Sequence, residues 1–449
     1  MQDRLFGTDG IRGSAGKFPL DAKTVFRLGA ALVRMLRASR DRETQIKIVS
    51  GRDTRESGPW IEAALAHGVS SEGATLVSMG VAPTPAVALT AKFDDFDAGV
   101  VVSASHNLYE DNGIKVFSPD GLKLPEHKER DLEELVESAN DEVIENSENV
   151  VIDPSFLNAY IAHVRSVLPD RLDFGQTRLA IDCANGAMYD LAPRLLRGCG
   201  FDVMVSGCAP NGKNINTDCG STHPTTLAKF VVEHQCHVGV AFDGDGDRAL
   251  FVDAQGGIID GDAVLFICAK RLKEIGQLPG NAIVATVMSN VGLELGLQDL
   301  GIDLVRCQVG DRYVMEEMTK HGIALGGEQS GHIIFSEYLQ TGDGLITAMM
   351  VLRAMAESGR ALADLAADLD VYPQVLVNVP VRRKTDLQSV PEIAAVIRDV
   401  ELRLAGQGRL LVRYSGTEPL LRIMVEGRNQ VEIQGYSDEI ASAVKRCLL

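Results

Sequence analysis

No pair of cysteines in this chain has CxxC spacing. The eight present (Cys183, Cys199, Cys208, Cys219, Cys236, Cys268, Cys307 and Cys447) are scattered, which fits reduced, mostly buried thiols rather than a disulfide framework or a zinc site. Positive charge is also scarce. Against 62 Asp and Glu stand 44 Lys and Arg, a formal charge of −18, which repels nucleic acid and anionic membranes. An anionic ligand therefore needs a local cluster of Arg, Lys and backbone N–H groups. No apolar run approaches the ~20 residues of a membrane span, and the opening MQDRLFGTDG has neither the basic start nor the apolar stretch of a secretory leader. The expectation is a cytoplasmic protein with no nucleic-acid and no membrane partner. Low-complexity tracts and short solenoid repeats are absent from the sequence as well.

What remains is an ordinary globular composition, 45% hydrophobic and 24% charged over 449 residues, enough for several separate cores. Helical spacing at 24–39 and 57–70 alternates with apolar runs at 46–50, 74–80 and 100–103, the pattern of an α/β unit. An acidic helical stretch near 126–148 follows, and the alternation then restarts twice. One restart has helices at 155–168, 188–198 and 225–236 and strands RLAIDC, DVMVS and HVGVAF. The other has helices at 262–275, 291–300, 312–321 and 345–358, with strands NAIVATV and IDLVRC and one near 323–326. The last ~80 residues differ: VLVNVPV, RLLVRYS and LLRIMVE alternate as antiparallel strands, with helices near 390–404 and 436–447. The expected domains are 1–150, 151–255 and 256–369, all α/β, and 370–449, α+β. Each α/β unit ends a short strand in a small, polar loop: VVVSASHN, VGVAFDGDGD and IALGGEQSG. Ligands of open α/β sheets sit at the carboxyl ends of strands, so three such loops can serve one site.

The strongest motif is DGDGDR at 243–248, where glycines separate Asp243, Asp245 and Asp247 and let a tight backbone aim three carboxylates at one point, as a hard divalent cation requires. An EF-hand reading fails, because its sixth position is Arg248 and its twelfth Ala254. A dinucleotide fingerprint also fails, since ALFVD follows as a strand and the carboxylates would repel a pyrophosphate. A solvated acidic turn is the bland alternative. Magnesium combines few carboxylates with a phosphate oxygen, and SASHNLYEDNGIK at 103–115 offers a place for one: Ser105 follows an apolar strand beside His106, Asn107 and Lys115. Spacing alone leaves open that Ser105 merely caps a helix or turn. A Ser-His-Asp hydrolase is less attractive without a GxSxG elbow, and adjacent Ser105 and His106 need not face each other. In RYSGTEPLLR, Ser415 to Glu418 fits a capping box with no helix to follow, and Arg413, Ser415, Gly416, Thr417 and Arg422 together resemble a phosphate cradle of hydroxyls, N–H groups and guanidinium forks. GTDGIRG and GRDTRESG add Arg12, Arg52 and Arg55, any one of which alone is more often a surface ion pair. GGEQSGH places Glu328, Ser330 and His332 on a short loop; Glu and Ser suit sugar hydroxyls, and His332 could equally be structural.

Taken together, these loops resemble those of the α-D-phosphohexomutases, over essentially the whole chain and in the family's order. SASHN is similar to the family's phosphoserine loop, DGDGDR to its metal loop, GGEQSGH to its sugar-recognition loop and RYSGTEP to its phosphate-binding loop. The resemblance implies three similar α/β domains and a smaller α+β C-terminal domain around a central cleft. FGTDGIRG, DCANGAMY, NINTDCGSTHP, TVMSNVGLE and VGDRYVMEEM are similar to the family's amino-sugar branch. That branch implies interconversion of glucosamine 6-phosphate and glucosamine 1-phosphate, on the route to cell-wall amino sugars, in a monomer or homodimer. The implied parts are one Mg²⁺ on phosphorylated Ser105, Asp243, Asp245 and Asp247, and a glucose or glucosamine bisphosphate primer. Lys115, His332 and Arg12 would be catalytic; Glu328, Ser330, Arg248 and the 413–422 loop would bind substrate. Two positions depart from the family's usual pattern. Leu108 stands where Pro usually follows SHN and would stiffen the loop, and Arg52 where close relatives often carry Lys. The rival functions are the same chemistry on mannose or glucose phosphates, a metal-dependent phosphatase in which water intercepts phosphoserine, and a non-catalytic sugar-phosphate binder.

Overall fold

The computed structural model describes residues 5–7, 9–38, 45–138, 150–169, 172, 174–404, 406–415 and 419–448. The chain separates into two compact units, Met1–Met288 with Ile302–Ala367, and Ser289–Gly301 with Asp368–Leu449.

The first unit holds three sheets built to one plan. In the first, the strand order is Ile11–Ser14, Asp111–Phe117, Ala98–Val102, Lys47–Arg52, Thr75–Val81, Val151–Ile152. The second runs Ile258–Ile259, Ala249–Asp253, Val238–Phe242, Arg178–Asp182, Asp202–Ser206. The third runs Asp303–Cys307, Ala282–Thr286, Leu325–Gly327, Ile333–Phe335. In each, parallel pairs fill one side and the last parallel strand turns back into an antiparallel partner; a further antiparallel strand edges the first two sheets. The three turning strands are Ala98–Val102, Val238–Phe242 and Leu325–Gly327, and every residue of the three is buried. Burial on both faces is why AGVVV and VGVAF read as unbroken apolar runs, and each buried Val contributes about 1.5–3 kcal/mol. The turnbacks carry 103–110, 243–248 and 328–332, so the candidate loops are the same structural element in three copies.

Several elements are not expected from the sequence, strands Ile11–Ser14 and Ile333–Phe335 and helix Leu362–Ala366 among them, and two of the others have a clear physical reason. Helix Thr84–Phe93 has eight of its ten residues buried, so it lacks the polar face that a 3.6-residue period needs to show. Strand Asp111–Phe117 buries Asn112 and Lys115, polar residues that made the segment read as loop. The acidic stretch gives helix Glu126–Glu137, and its remainder, 139–149, lies outside the described residues.

In the second unit, strands Gln374–Pro380, Leu420–Gly427 and Gly408–Tyr414 form an antiparallel sheet with Leu420–Gly427 central. Helices Pro391–Leu404 and Gln430–Leu448 pack on it around Ile393, Val400, Ile423, Val425, Ile440 and Val444. Among the described residues, no helix is long and apolar enough to cross a membrane.

Candidate active site

Asp243, Asp245 and Asp247 are buried, and ligand oxygens from all three lie within 4.8 Å of one another. They form the one such cluster among the described residues. Asp245 Oδ1 and Asp247 Oδ1 are buried with no hydrogen-bond partner. Orphaned buried carboxylate oxygens are costly, and an oxygen-only donor set of this kind suits a hard divalent cation; the residues present fit a metal ion.

The Ser105 turnback lies directly on this cluster. Ser105 Oγ donates to Asp243 Oδ2 at 2.6 Å, and Ser105 has the left-handed φ of 51°, uncommon for a non-glycine residue. Its loop is tied from both sides. Arg55 Nη2 and Asn216 Nδ2 both donate to the Ser105 carbonyl, at 3.0 and 2.8 Å, and both also reach the Asn107 carbonyl. Gly244 lets the two loops touch: a Cβ there would stand 2.5 Å from the Ser105 oxygen. Arg55 is thus buried structural support, ion-paired with Asp53 at 3.1 Å, rather than a phosphate ligand. Arg52 pairs with Glu62. Leu108 accepts a 3.3 Å bond from Arg55 through its carbonyl, so a guanidinium holds the turn where a proline ring would. His106 Nδ1 lies 3.3 Å from Ser105 Oγ, so the adjacent pair does meet.

Lys115, buried, reaches Asp245 at 3.0 Å, Asp247 at 3.4 Å and Asp9 at 3.3 Å. Arg12 pairs with Asp9, and Lys123 joins Asp9 to Asp311. His332, from the third turnback, closes the ring: Nδ1 is 3.6 Å from Asp247 and Nε2 3.7 Å from Asp311. Arg248 donates its backbone N–H to Asp243. Glu328 accepts from Gly310 N at 3.0 Å, while Ser330 is exposed. A cavity of about 360 Å³ opens beside His332, lined by Lys123, Asp311, Arg312, Met315 and Ile334 among others.

These contacts set the charges. Burial pushes Asp243 well above the carboxylate range, and its two neighbouring carboxylates push the same way. Burial also works against Asp247, but Lys115, His332 and Arg248 outweigh it and hold that group well below the usual value. Lys115 loses hydration, yet the charges of Asp245, Asp9 and Asp247 raise it well above an ordinary lysine, so it stands as a cation that holds its proton. His332 is raised too, as Asp247 and Asp311 overcome its burial. Burial, followed by the charges of Arg248 and Arg12, lowers His106 to about 4, leaving it neutral near pH 7.

In the second unit, considered by itself, Arg413 and Arg422 are directly opposed across an antiparallel ladder. Like charges so placed repel, and a phosphate between them would reverse the sign. Ser415 is buried and its N–H donates to Leu420 O at 2.8 Å. Gly416 and Thr417 lie outside the described residues.

The structure thus brings Ser105, Lys115, Arg12, the three aspartates, Arg248, Glu328 and His332 into one neighbourhood of the first unit. Sequence reading passes over Asp9, Thr84, Asn216 and Asp311. Three of them lie inside quoted motifs, where adjacent glycines and charges drew attention away. Thr84, whose Oγ1 donates to Asp245 at 2.7 Å, carries no sequence signal.

Comparison with known proteins agrees with this geometry. Four family descriptions match in chain order: Phosphoglucomutase/phosphomannomutase alpha/beta/alpha domain I at 3–142, domain II at 158–257, domain III at 260–372 and the C-terminal domain at 376–443. A phosphoglucosamine mutase of Solibacter usitatus is 48% identical over 449 residues, covering 99% of each chain. One of Syntrophotalea carbinolica is 45% identical, covering 100% of this chain and 98% of its own. Among solved structures, a phosphoglucomutase/phosphomannomutase family protein of Burkholderia thailandensis superposes with a TM-score of 0.82 at 24% identity, over 99% of this chain and 97% of that one. The Aspergillus fumigatus N-acetylphosphoglucosamine mutase, solved with GlcNAc-6P and magnesium, shares the fold at a TM-score of 0.67 and 18% identity, over 99% and 96%. With four consecutive domain matches and relatives alike over the whole length, the chain belongs to the phosphoglucomutase/phosphomannomutase family.

Proposed function

We propose that this enzyme interconverts glucosamine 6-phosphate and glucosamine 1-phosphate, with Ser105 carrying a phosphoryl group between turnovers. The observation that carries the reading is the Ser105 hydroxyl held 2.6 Å from Asp243, at the edge of a buried three-carboxylate cluster. The full-length relatives named phosphoglucosamine mutase support the amino-sugar substrate.

Asp243, Asp245 and Asp247, with a phosphoryl oxygen on Ser105, would hold one Mg²⁺, which when bound neutralises charge on the transferring group. The chain's own residues do the rest. Arg55 and Asn216 fix the Ser105 backbone, so Oγ keeps one position through the cycle. A sugar hydroxyl attacks phosphorus, the bond to Ser105 Oγ breaks, the proton lost by the attacking hydroxyl is balanced by the one Ser105 Oγ gains, and a bisphosphorylated sugar forms. It turns over and returns its other phosphoryl to Ser105. Lys115, a buried cation beside the cluster, is placed to offset charge on the leaving oxygen, with His332 and Arg12 completing the polar wall. Glu328, Ser330 and Arg248 engage the sugar. Arg413, Ser415, Gly416, Thr417 and Arg422 hold the phosphate that is not reacting. A glucose or glucosamine bisphosphate primes Ser105. The division of labour over 1–150, 151–255, 256–369 and 370–449 belongs to this proposal.

The test is isomerisation of glucosamine 6-phosphate, with mannose 6-phosphate and released inorganic phosphate followed in parallel. Preferred conversion of the amino sugar, with little phosphate released, supports the reading. Preference for mannose 6-phosphate moves the enzyme to another branch of the family, and stoichiometric phosphate release makes it a phosphatase.

A further inference from the structure

Thr84 opens helix Thr84–Phe93, and its main chain and side chain both grip Asp245. Thr84 N donates to the Asp245 carbonyl at 2.9 Å, and Thr84 Oγ1 donates to Asp245 Oδ2 at 2.7 Å. Both residues are fully buried. The sequence dictates the first of these bonds. Residues 83–85 read Pro-Thr-Pro, and proline has no N–H, so Thr84 carries the single main-chain donor of this helix start. First-turn N–H groups have no partner inside their own helix, and this one is spent on the metal loop.

The neighbouring carbonyls of that loop are held in the same manner. Gly244 O accepts from Ala187 N at 2.8 Å and Gly246 O from Gly344 N at 3.0 Å. Three consecutive main-chain oxygens are thus pinned by three separate segments of the chain. Gly244 and Gly246 have no side chain to orient. Asp245 has one, and Thr84 fixes it together with the backbone that carries it.

Two donors meet on Asp245 Oδ2, Thr84 Oγ1 and Lys115 Nζ, the second at 3.0 Å, while Oδ1 is buried without a hydrogen-bond partner. The donors differ in what they can do. Lys115 is a long side chain shared with Asp247 and Asp9, so it attracts Asp245 without setting the plane of its carboxylate. The Thr84 hydroxyl stands on a short, β-branched side chain with few rotamers, on a helix with eight of its ten residues buried. A carboxylate torsion is otherwise broad and two-fold, and without the threonine the group is free to turn and present either oxygen.

We propose that Thr84 is a positioning residue for the metal: by engaging Asp245 Oδ2 it reserves Oδ1 as the ligating oxygen and gives the acidic cluster one geometry. The inference rests on the reading that the three aspartates hold Mg²⁺. Magnesium demands near-ideal octahedral geometry, so a carboxylate held in one orientation binds it better than one that must be ordered on binding. Thr84 acts through Asp245, as the partners that orient metal ligands do.

The experiment measures thermal midpoints of the full-length enzyme in chelator and over a series of Mg²⁺ concentrations, with Mg²⁺ activation of the mutase followed in parallel, for wild type, Thr84→Val, Thr84→Ala and Thr84→Ser. Thr84→Val keeps the shape and removes the hydroxyl. It and Thr84→Ala should need about 10–100-fold more Mg²⁺ for the same rise in midpoint and for half-maximal activation, whereas Thr84→Ser, which restores the donor, should respond near the wild-type concentration. Should Thr84→Val fail to fold, Thr84→Ala and Thr84→Ser carry the same comparison. A lower midpoint in chelator with an unchanged Mg²⁺ requirement makes Thr84 a structural residue only and overturns the proposal. So does a serine variant as impaired as the alanine one. A wild type whose midpoint and activity ignore Mg²⁺ removes the metal site and this inference with it, while a responsive wild type beside an equally responsive Thr84→Val removes the inference alone.

Discussion

The guanidinium of Arg55 donates to the main-chain oxygen of Ser105 at 3.0 Å from a fully buried position, with Asp53 as its buried counter-ion. Burial raises Asp53 despite the Arg55 charge. Removing one partner of a buried pair leaves the other uncompensated, at a cost of about 3–5 kcal/mol. Arg55→Met should destabilise the enzyme by about that much in urea unfolding. Arg55→Lys keeps the charge but cannot reach both carbonyls, so it should retain most stability and lose turnover. Near-wild-type turnover in Arg55→Lys contradicts the positioning role.

The aspartate cluster should couple metal to stability. With its oxygens crowded together and two of them orphaned, binding Mg²⁺ to the native state alone adds about 2.7 kcal/mol at a hundred times the dissociation constant. Thermal unfolding with and without chelator should show a clear rise in midpoint with Mg²⁺, and Asp245→Asn should shrink it. A midpoint indifferent to Mg²⁺, together with full activity after exhaustive chelation, excludes the site.

Asp343 gives a pH signature. It accepts from Leu345 N, Ile346 N and Tyr160 Oη, and burial raises it to about 7. The folded protein therefore keeps a proton that the unfolded chain releases near pH ~4. The associated stability is fully present below that value and is lost as pH climbs through 7, on the order of 1 kcal/mol per pH unit. Asp343→Asn, which cannot ionise, should lack this slope when thermal midpoints are compared from about pH 5 to about pH 8. Parallel profiles for the two proteins refute the assignment.

Arg413 opposes Arg422 across the C-terminal sheet, and a charge-assisted bond to phosphate is worth about 1.5–3 kcal/mol. Arg413→Ala should raise KM for phosphosugar by about ten- to a hundredfold, while Ser105 still accepts phosphate from a bisphosphate donor. An unchanged KM removes the loop from substrate binding.

Much of the site was legible because its chemistry is concentrated in short loops: three aspartates in five residues, one serine after an all-valine strand end, two arginines flanking a Ser-Gly-Thr. Burial was not legible. Arg12, Arg52 and Arg55 look alike in sequence, yet Arg55 is fully enclosed while Arg12 stays partly exposed beside Asp9. Helix Thr84–Phe93 went unseen because it shows no polar face, and strand Asp111–Phe117 because buried charges such as Lys115 mimic a loop. The tie from Asn216 to Ser105 spans 111 positions in the chain, and no local pattern encodes a contact of that length.

The central claim is that Ser105 carries the phosphoryl group that moves, and its most direct test is transfer of label. Enzyme incubated with glucose 1,6-bisphosphate labelled in its phosphates, then freed of sugar and digested, should yield one acid-stable labelled peptide containing Ser105. On addition of unlabelled glucosamine 6-phosphate the label should leave the protein and appear in sugar phosphate rather than in inorganic phosphate, and Ser105→Ala should take up none. Label settling on another residue, or Ser105→Ala turning over like the wild type, would contradict the account.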